Sequence, residues 1–194
     1  DTFGDCTMSL LYVDDIRGKT AANTVDLSNA TNLKMPPGAV LQVVQGITTA
    51  ASAFSIAAHN LSSAVVSATI TPKFATSKIL MTGQVTGASD SLGHQFWIIL
   101  QRDSTNIGQG DSVGNRRRCH SGIAQFHTYA EGLGNGSINF LDSPNTTSAI
   151  TYNVKLAHNS GGAQTWLLNR TDNDGNNTDR PRATTTLTLM EISQ

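Results

Sequence analysis

The chain has 194 residues, 38% of them hydrophobic and 14% charged, with a formal net charge of -1. Charges so few and so balanced give no electrostatic attraction to nucleic acid or to an anionic membrane, so neither is an expected partner. No window approaches the roughly 18 consecutive apolar residues of a membrane-spanning helix, so we expect no membrane insertion.

Small polar residues dominate the rest of the composition. The sequence contains 24 Thr, 18 Ser, 15 Asn and 17 Gly, a bias that favours strands and turns over long helices. No window carries a sustained helical apolar stripe, so the predicted fold class is all-β. The two cysteines, Cys6 and Cys119, lie far apart, and we expect two free thiols rather than a disulfide.

Residues 1–38 are predicted to form an extended N-terminal arm or shaft-connecting segment. They contain one short apolar run and then many Asn, Ser and Thr residues, and the triplet Pro36-Pro37-Gly38 ends whatever precedes it. The chain begins at Asp1 rather than Met, which indicates a processed chain or, as we favour, a piece of a longer one. The second predicted domain, a β-sandwich, covers residues 39–194.

From residue 39 onward, short strand-like runs follow one another at roughly the 8–12-residue spacing of a sandwich or barrel. No helical segment interrupts them. The predicted strands are Val40–Gly46, Ala53–His59, Ala64–Thr71, Lys78–Thr86, Gln95–Arg102, Ile123–Tyr129, Ser137–Leu141, Ala149–Ala157, Thr165–Asn169 and Thr184–Ile192.

Two of these strands carry apolar side chains on both faces. In FWIIL (96–100), Phe96, Ile98 and Leu100 are on one face of the strand, and Trp97 and Ile99 are on the other. In TTTLTLMEIS (184–193), Leu187 and Leu189 are on one face, and Met190 and Ile192 are on the other. A second layer of the same domain or a neighbouring subunit should cover the second face of each strand. We therefore predict that Trp97, Ile99, Met190 and Ile192 are interface residues of such a contact.

Several segments resemble, in the same order, the C-terminal module of structural proteins from marine bacteriophages. The segments are SATITPKFATSKILM (67–81), WIILQRDSTNIGQGD (97–111), INFLDSPNTTSAITYNVKL (138–156) and TTTLTLMEIS (184–193). That module typically has a strand ending in Thr-Pro, a Ser-Lys-Ile-Leu strand, a strand before a Gly-Asp turn, a Phe-Leu-Asp-Ser-Pro corner and a closing Met-Glu-Ile strand. The stretch LYVDDIRGKT (11–20) resembles segments of phage fibre shafts.

The resemblance covers about residues 40–194 and implies an antiparallel jelly-roll sandwich similar to the C1q and tumour-necrosis-factor domains. It also implies the tip of a tail or head fibre, commonly a homotrimer. Such a protein is made in the cytoplasm of a bacterial host and ends up in the virion, where the arm would contact other virion proteins.

Enzyme signatures are missing from the sequence. It contains no Gly-x-Ser-x-Gly, His-Glu-x-x-His, Walker or dinucleotide-binding pattern. A glycan-cleaving enzyme needs two acids roughly 5–9.5 Å apart, which Asp103 with Asp111, or Asp142 with Glu131, could supply across subunits. Aspartate in such settings more often forms turns, so we predict neither enzyme activity, nor catalytic residues, nor a cofactor.

The run DNDGNNTD (172–179) has the composition of a calcium loop, with Asp172, Asp174 and Asp179 as its acids. It fails the EF-hand register, which requires oxygen ligands at positions 1, 3 and 5, Gly at 6 and Glu at 12. An exposed hairpin tip explains the run better, so no metal is predicted and the three aspartates are weak candidates. The five histidines show no metal-ligand spacing.

The one basic run of the sequence consists of Arg116, Arg117 and Arg118. These side chains could bind a phosphate or an acidic sugar through bidentate hydrogen bonds. They could equally pair with Asp103 or Asp111, within one subunit or between subunits. We include the three arginines among the candidate receptor-binding residues.

Aromatic side chains are the other candidates for receptor binding, because they can stack on a sugar ring. Trp166 follows the loop SGGAQ and is the tryptophan that we expect at a surface. Tyr129 and His127 complete the predicted receptor-binding set, whereas Trp97 and Tyr152 lie on strands and are expected in the core or an interface.

The predicted function is that of a fibre tip that binds a host-surface glycan or protein. Loops 103–122, 130–137 and 158–164 would make the contacts, since recognition often uses loops on a rigid scaffold. Two alternatives remain open at this point. One is a capsid decoration or fibre segment without a receptor, and the other is a glycan depolymerase.

Overall fold

The computed structural model describes residues 36–91, 94–123 and 131–194. They belong to one compact unit, Met35–Gln194. The predicted arm lies outside the described residues except for residues 36–38, as does most of the predicted strand Ile123–Tyr129. The described residues form antiparallel strands and no helix, which confirms the all-β class. Consequently none of their segments is a helix long and apolar enough to span a bilayer.

Eleven strands lie in the described part of the chain. They are β1 (Val40–Thr48), β2 (Ser52–Ile56), β3 (Val66–Ile70), β4 (Lys78–Ser89), β5 (Phe96–Arg102), β6 (Thr105–Ile107), β7 (Ser121–Ile123), β8 (Gly134–Asp142), β9 (Ile150–His158), β10 (Gln164–Leu168) and β11 (Thr185–Ile192). The sequence did not predict β6, because three residues are too few to show an alternating pattern.

The first sheet is built around the long strand β4. One edge of β4 pairs with β8. Its other edge pairs with β11 over Lys78–Gln84 and then with β10 over Gly87–Ser89. Beyond these, β1 pairs with β11 and β2 pairs with β10. β10 and β11 thus share one edge of β4, with Val85 and Thr86 between the two paired stretches.

The second sheet is built around β5. β9 pairs with the whole of β5, and β3 pairs with the far edge of β9. The other edge of β5 is shared by β7 at its start and β6 at its end. All these pairings are antiparallel, so each strand can bury one face and leave the other to loops, solvent or a partner.

The core lies between the two sheets. Alternate residues of every long strand point into it, among them Phe96, Ile98 and Leu100 of β5, all at 0% exposure. The largest fully buried side chains are Trp166, Tyr152 and Phe96. Full burial of one large apolar side chain contributes about 1.5–3 kcal/mol, so this shared core is the main source of stability for a chain without a disulfide among its described residues.

A buried carboxylate fixes the loop between β3 and β4. Glu191 of β11 has 0% exposure. Its Oε1 accepts hydrogen bonds from the backbone N–H groups of Lys73 (2.7 Å) and Phe74 (3.3 Å), and its Oε2 accepts one from Gln42 Nε2 (2.6 Å). These bonds offset the cost of removing the carboxylate from water. Glu191 therefore stabilises the position of this loop.

Gly87 of β4 lies where the indole of Trp166 crosses the strand. A Cβ at this position would lie 2.8 Å from two atoms of the indole and 2.3 Å from the carbonyl oxygen of Leu167. Only glycine allows the tryptophan to lie this close to the backbone.

We predict that Gly87→Ala destabilises the domain by about 1–3 kcal/mol, because the added methyl group forces the core apart. Gly110→Ala is the matched control, since nothing lies within 4 Å of a Cβ placed there. The control should change stability by less than about 1 kcal/mol. Urea unfolding of the two variants measures the difference, and equal midpoints would contradict the packing assigned to Trp166.

Candidate functional site

A pocket on the outer face of the second sheet is the candidate functional site. Its volume is about 370 Å³, which lies within the roughly 300–1,000 Å³ typical of ligand pockets. Four segments that are far apart in sequence line it. The lining residues are His59, Trp97, Asn115, Arg117, His158 and Asn159.

The pairing of β5 with β9 positions Trp97. Phe96 pairs with His158 and Trp97 pairs with Ala157. Because Phe96 points into the core, Trp97 must point to the opposite face of the sheet. Its neighbour on that face has only a methyl side chain, which leaves room beside the half-buried indole.

A hydrogen bond between two loops closes one side of the pocket. Arg117, in the loop between β6 and β7, donates from Nη2 to the carbonyl oxygen of His59 at 2.6 Å. His59 follows β2 in a turn and has a φ of 63°. A left-handed backbone is uncommon for residues other than glycine and often marks a functional site. The bond holds the guanidinium group at the pocket.

His158 and Asn159 form the wall at the end of β9. His158 is buried, its Nε2 lies 2.9 Å from the carbonyl oxygen of Ile56, and its Nδ1 accepts a hydrogen bond from the backbone N–H of Ser160 at 3.1 Å. These partners assign the proton to Nε2 and occupy both ring nitrogens. The Oδ1 of Asn159 accepts from the backbone N–H of Gln95 at 3.1 Å, so its NH2 group is the one left to donate.

The pocket therefore offers a flat aromatic surface, one cation and amide groups. No carboxylate, serine or cysteine of the described residues lines it. These groups can bind a polar ligand by stacking and by hydrogen bonding.

A smaller cavity of about 150 Å³ adjoins the same tryptophan. It is lined by Gln95, Phe96, Trp97, Gly122 and Ile123. Trp97 thus lines both spaces.

The outer face of the first sheet carries a second distinctive surface, an apolar row formed by Val43, Met190, Leu80 and Leu141. These residues are direct cross-strand neighbours on β1, β11, β4 and β8. Val43 is 57% exposed and Leu141 is 46% exposed. Such a continuous apolar surface is uncommon on a soluble monomer and often marks an interaction site.

The prediction that Trp166 lies at a surface is wrong. Trp166 is 0% exposed, and its ring centroid lies 5.0 Å from that of Phe96 in the core. β10 begins at Gln164, directly after the loop, and its alternation turns Trp166 inward. Trp97 is instead the tryptophan that a ligand can reach.

The predicted interface residues fall into two groups. Ile99 is only 1% exposed in the single chain, so its prediction as an interface residue is wrong: the chain itself already covers this side chain. Trp97, Met190 and Ile192 are half-buried. Trp97 lies on the outer face of the second sheet, whereas Met190 and Ile192 lie on the outer face of the first.

The three predicted arginines have different surroundings. Arg117 alone lines the pocket. Arg118 donates from Nε to the carbonyl oxygen of Gly110 at 2.6 Å, and Arg116 is exposed. No ion pair links any of the three to a carboxylate among the described residues. The other two candidates, His127 and Tyr129, lie outside the described part of the chain.

Three of the four acids considered for catalysis, Asp103, Glu131 and Asp142, have structural partners. Asp103 has a φ of 51° in the turn after β5, and its Oδ1 accepts from the backbone N–H of Thr151 at 3.0 Å. Glu131 lies 3.7 Å from Arg180. Asp142 is buried, and its carboxylate accepts from Arg102 Nη1 at 3.0 and 3.2 Å.

The Asp142 carboxylate also accepts a hydrogen bond of 2.7 Å from the hydroxyl of Tyr152. Asp142 belongs to the first sheet, whereas Arg102 and Tyr152 belong to the second, so this cluster links the two sheets. Burial raises the pKa of Tyr152 well above its ordinary value, and the bond to Asp142 raises that pKa further.

The aspartates of the loop before β11 face arginines. Asp174 forms an ion pair of 2.5 Å with Arg182, and Asp179 lies 3.8 Å from the Nε of Arg180. Asp172 accepts a hydrogen bond from Arg170 through its backbone carbonyl oxygen. Among the described residues no group of three or more His, Cys, Asp or Glu is arranged to bind a metal ion.

Sequence reasoning singled out none of four pocket residues, His59, Asn115, His158 and Asn159, although the last three lie in the loops 103–122 and 158–164 that it predicted to contact a receptor. Each lies in or beside a turn, which composition alone does not distinguish from any other turn. The one available signal was that polar residues follow the apolar runs ending at Ile56 and Ala157.

No protein-family model matches the chain, and no curated protein matches it significantly in sequence. Function is therefore inferred from the site itself.

We predict that Tyr152→Phe lowers stability near neutral pH by about 1–3 kcal/mol, because Asp142 loses a buried hydrogen bond. Above about pH 10 the difference in stability between the wild type and the variant should become smaller. In the wild type the unfolded chain loses the Tyr152 proton there while the folded chain keeps it, so unfolding becomes easier as pH rises. The variant lacks this ionisation.

Urea unfolding of both proteins at about pH 7 and about pH 11 measures this difference. All other ionisable groups are common to the two proteins, so their effects cancel in the comparison. A difference in stability that stays constant with pH would contradict the raised pKa of Tyr152.

Proposed function

We propose that this chain is the tip of a phage fibre, which attaches the virion to a glycan on the bacterial surface through the pocket around Trp97. The observation that carries the proposal is the reachable indole beside a fixed guanidinium group, in a pocket without carboxylates. An aromatic face stacks on the apolar face of a sugar ring, and the flanking polar groups bind its substituents.

The order of strands supports the finer fold proposal, a jelly roll of the C1q and tumour-necrosis-factor kind. The strands run β1-β11-β4-β8 in one sheet and β3-β9-β5-β7 in the other. Successive strands β3, β4 and β5 alternate between the sheets, as do β8, β9 and β11 in the second half. Such crossing between two packed sheets is typical of jelly rolls.

The phage assignment is supported by the motifs that resemble phage modules and by where they lie. The Ser-Lys-Ile-Leu motif begins β4, the Phe-Leu-Asp-Ser-Pro corner ends β8, and Met-Glu-Ile ends β11. These strands are neighbours in the first sheet, and Asp142 and Glu191 from the motifs form buried polar contacts. The motifs thus coincide with positions where the fold constrains the residue type.

We further propose a homotrimer whose subunits meet through the apolar row, while the N-terminal arm contacts other virion proteins. On one side of the row the polar residues are uncharged, among them Gln45, Thr188 and Thr82, and on the other side Lys78 pairs with Ile192. Burial of the row supplies the driving force for association. The Trp97 pocket lies on the other sheet and stays open to a receptor.

We predict that Trp97→Ala weakens glycan binding by about 30-fold, since truncation of a central tryptophan costs about 2 kcal/mol or more. The measurement is binding of the full chain to an array of bacterial lipopolysaccharide and capsule oligosaccharides. Phe74→Ala is the matched control, because Phe74 is an aromatic residue that is 45% exposed away from the pocket.

Loss of binding in both variants, or in neither, would contradict the role of the pocket. An array without any bound glycan would favour the purely structural alternative. Release of new reducing ends from a bound polysaccharide would instead favour the depolymerase.

For the trimer, we predict that Val43→Lys shifts the solution mass from trimer to monomer. The substitution places a charge at the β1 end of the apolar row, on its most exposed member, and burying an unpaired ammonium group costs several kcal/mol. Val113→Lys is the control, because Val113 is 46% exposed in a loop of the second sheet.

Size-exclusion chromatography with light scattering gives the mass of each protein. A wild type that is monomeric at every concentration would contradict the trimer. It would mean that a different protein or the N-terminal residues cover the apolar row. If the protein remains a trimer in the Val43→Lys variant, the subunit interface lies on another surface.

A further inference from the structure

We infer that the Trp97 pocket selects an anionic glycan, whose carboxylate or sulfate group binds Arg117. This inference rests on the proposed function of the pocket as a glycan site and names the chemical class of its ligand.

The first argument is the charge of the pocket. Arg117 is the one residue of the lining that is always charged, and no carboxylate of the described residues lies among the lining groups or pairs with it. A half-buried guanidinium group without an acidic partner attracts an anion more strongly than an exposed one, because water screens the charge less.

The second argument is that Arg117 is held in position. Its Nη2 donates to the carbonyl oxygen of His59. A guanidinium group has five N–H donors in a rigid planar fork. With one of them bound to the backbone, the others are presented in a fixed orientation, which suits the bidentate binding of a planar carboxylate or of two sulfate oxygens.

The third argument is the balance of donors and acceptors. Arg117, the Trp97 indole and the NH2 group of Asn159 are all donors. His158 has both nitrogens occupied, so side-chain acceptors are limited to Asn115 and His59. Each hydroxyl of a neutral sugar brings a proton that needs an acceptor, whereas an acidic group brings acceptors alone. An acidic sugar therefore matches this lining better.

Calorimetric titration of the full chain with paired oligosaccharides tests the inference. One pair is oligogalacturonate and its methyl ester, and the other is dextran sulfate and dextran. The wild type should bind one of the acidic members and not its neutral counterpart, with an affinity that decreases as salt is added. The two pairs distinguish a carboxylate ligand from a sulfate ligand.

Arg117→Gln should weaken binding of that acidic probe by at least about tenfold, which corresponds to about 1.4 kcal/mol. Arg116→Gln is the matched control, because it removes the same charge from the exposed neighbouring residue and should change affinity by less than about twofold. Arg117→Lys keeps the charge but lacks the fork, so its affinity should fall between those of the wild type and Arg117→Gln.

Three results would overturn the inference. In the first, a neutral probe binds as tightly as its acidic counterpart, and Trp97→Ala abolishes binding of both. This result would support the glycan pocket and contradict only its preference for acidic sugars. Equal weakening by Arg116→Gln and Arg117→Gln would mean non-specific attraction to a basic loop. Failure of both acidic probes to bind the wild type at millimolar concentration would exclude both anionic classes.

Discussion

The pairing of β5 with β9 is the contact on which both the core and the pocket depend. In this register Phe96 and His158 are partners, as are Trp97 and Ala157. A shift by one residue would exchange the two faces of β5, placing Trp97 in the core and Phe96 outside. Tight packing of Phe96 against Trp166 prevents that shift, so the residues that stabilise the sandwich also set the position of the Trp97 indole in the pocket.

Charged groups in this protein are few, and several of them are used for structure. Glu191 fixes the β3–β4 loop, and Asp142 joins the sheets through Arg102 and Tyr152. A buried carboxylate is tolerated only when donors satisfy it, and each of these has at least three hydrogen bonds to N–H or O–H groups. These two carboxylates therefore contribute to the stability of the fold.

The two outer faces of the sandwich have different chemistry. The first sheet presents an apolar row, with neutral side chains on one side of it and Lys78 on the other. The second sheet presents the Trp97 pocket, which is polar and rich in donors. Because the two surfaces belong to different sheets, the proposed subunit contact would not compete with the proposed ligand binding. In the proposed trimer, three pockets would strengthen attachment through their effective concentration, even where each site binds weakly.

The alternation of apolar and polar residues determined most of the strands, because that pattern is a local property of the chain. It also revealed that β5 and β11 are apolar on both faces. The alternation does not show what covers each face of a strand, so the predictions for Ile99 and Trp166 were wrong. The chain itself covers Ile99, and the direction of β10 places Trp166 in the core. The pocket could not be read from the sequence either, since His59, Arg117 and His158 belong to distant segments that only the pairing of the strands brings together.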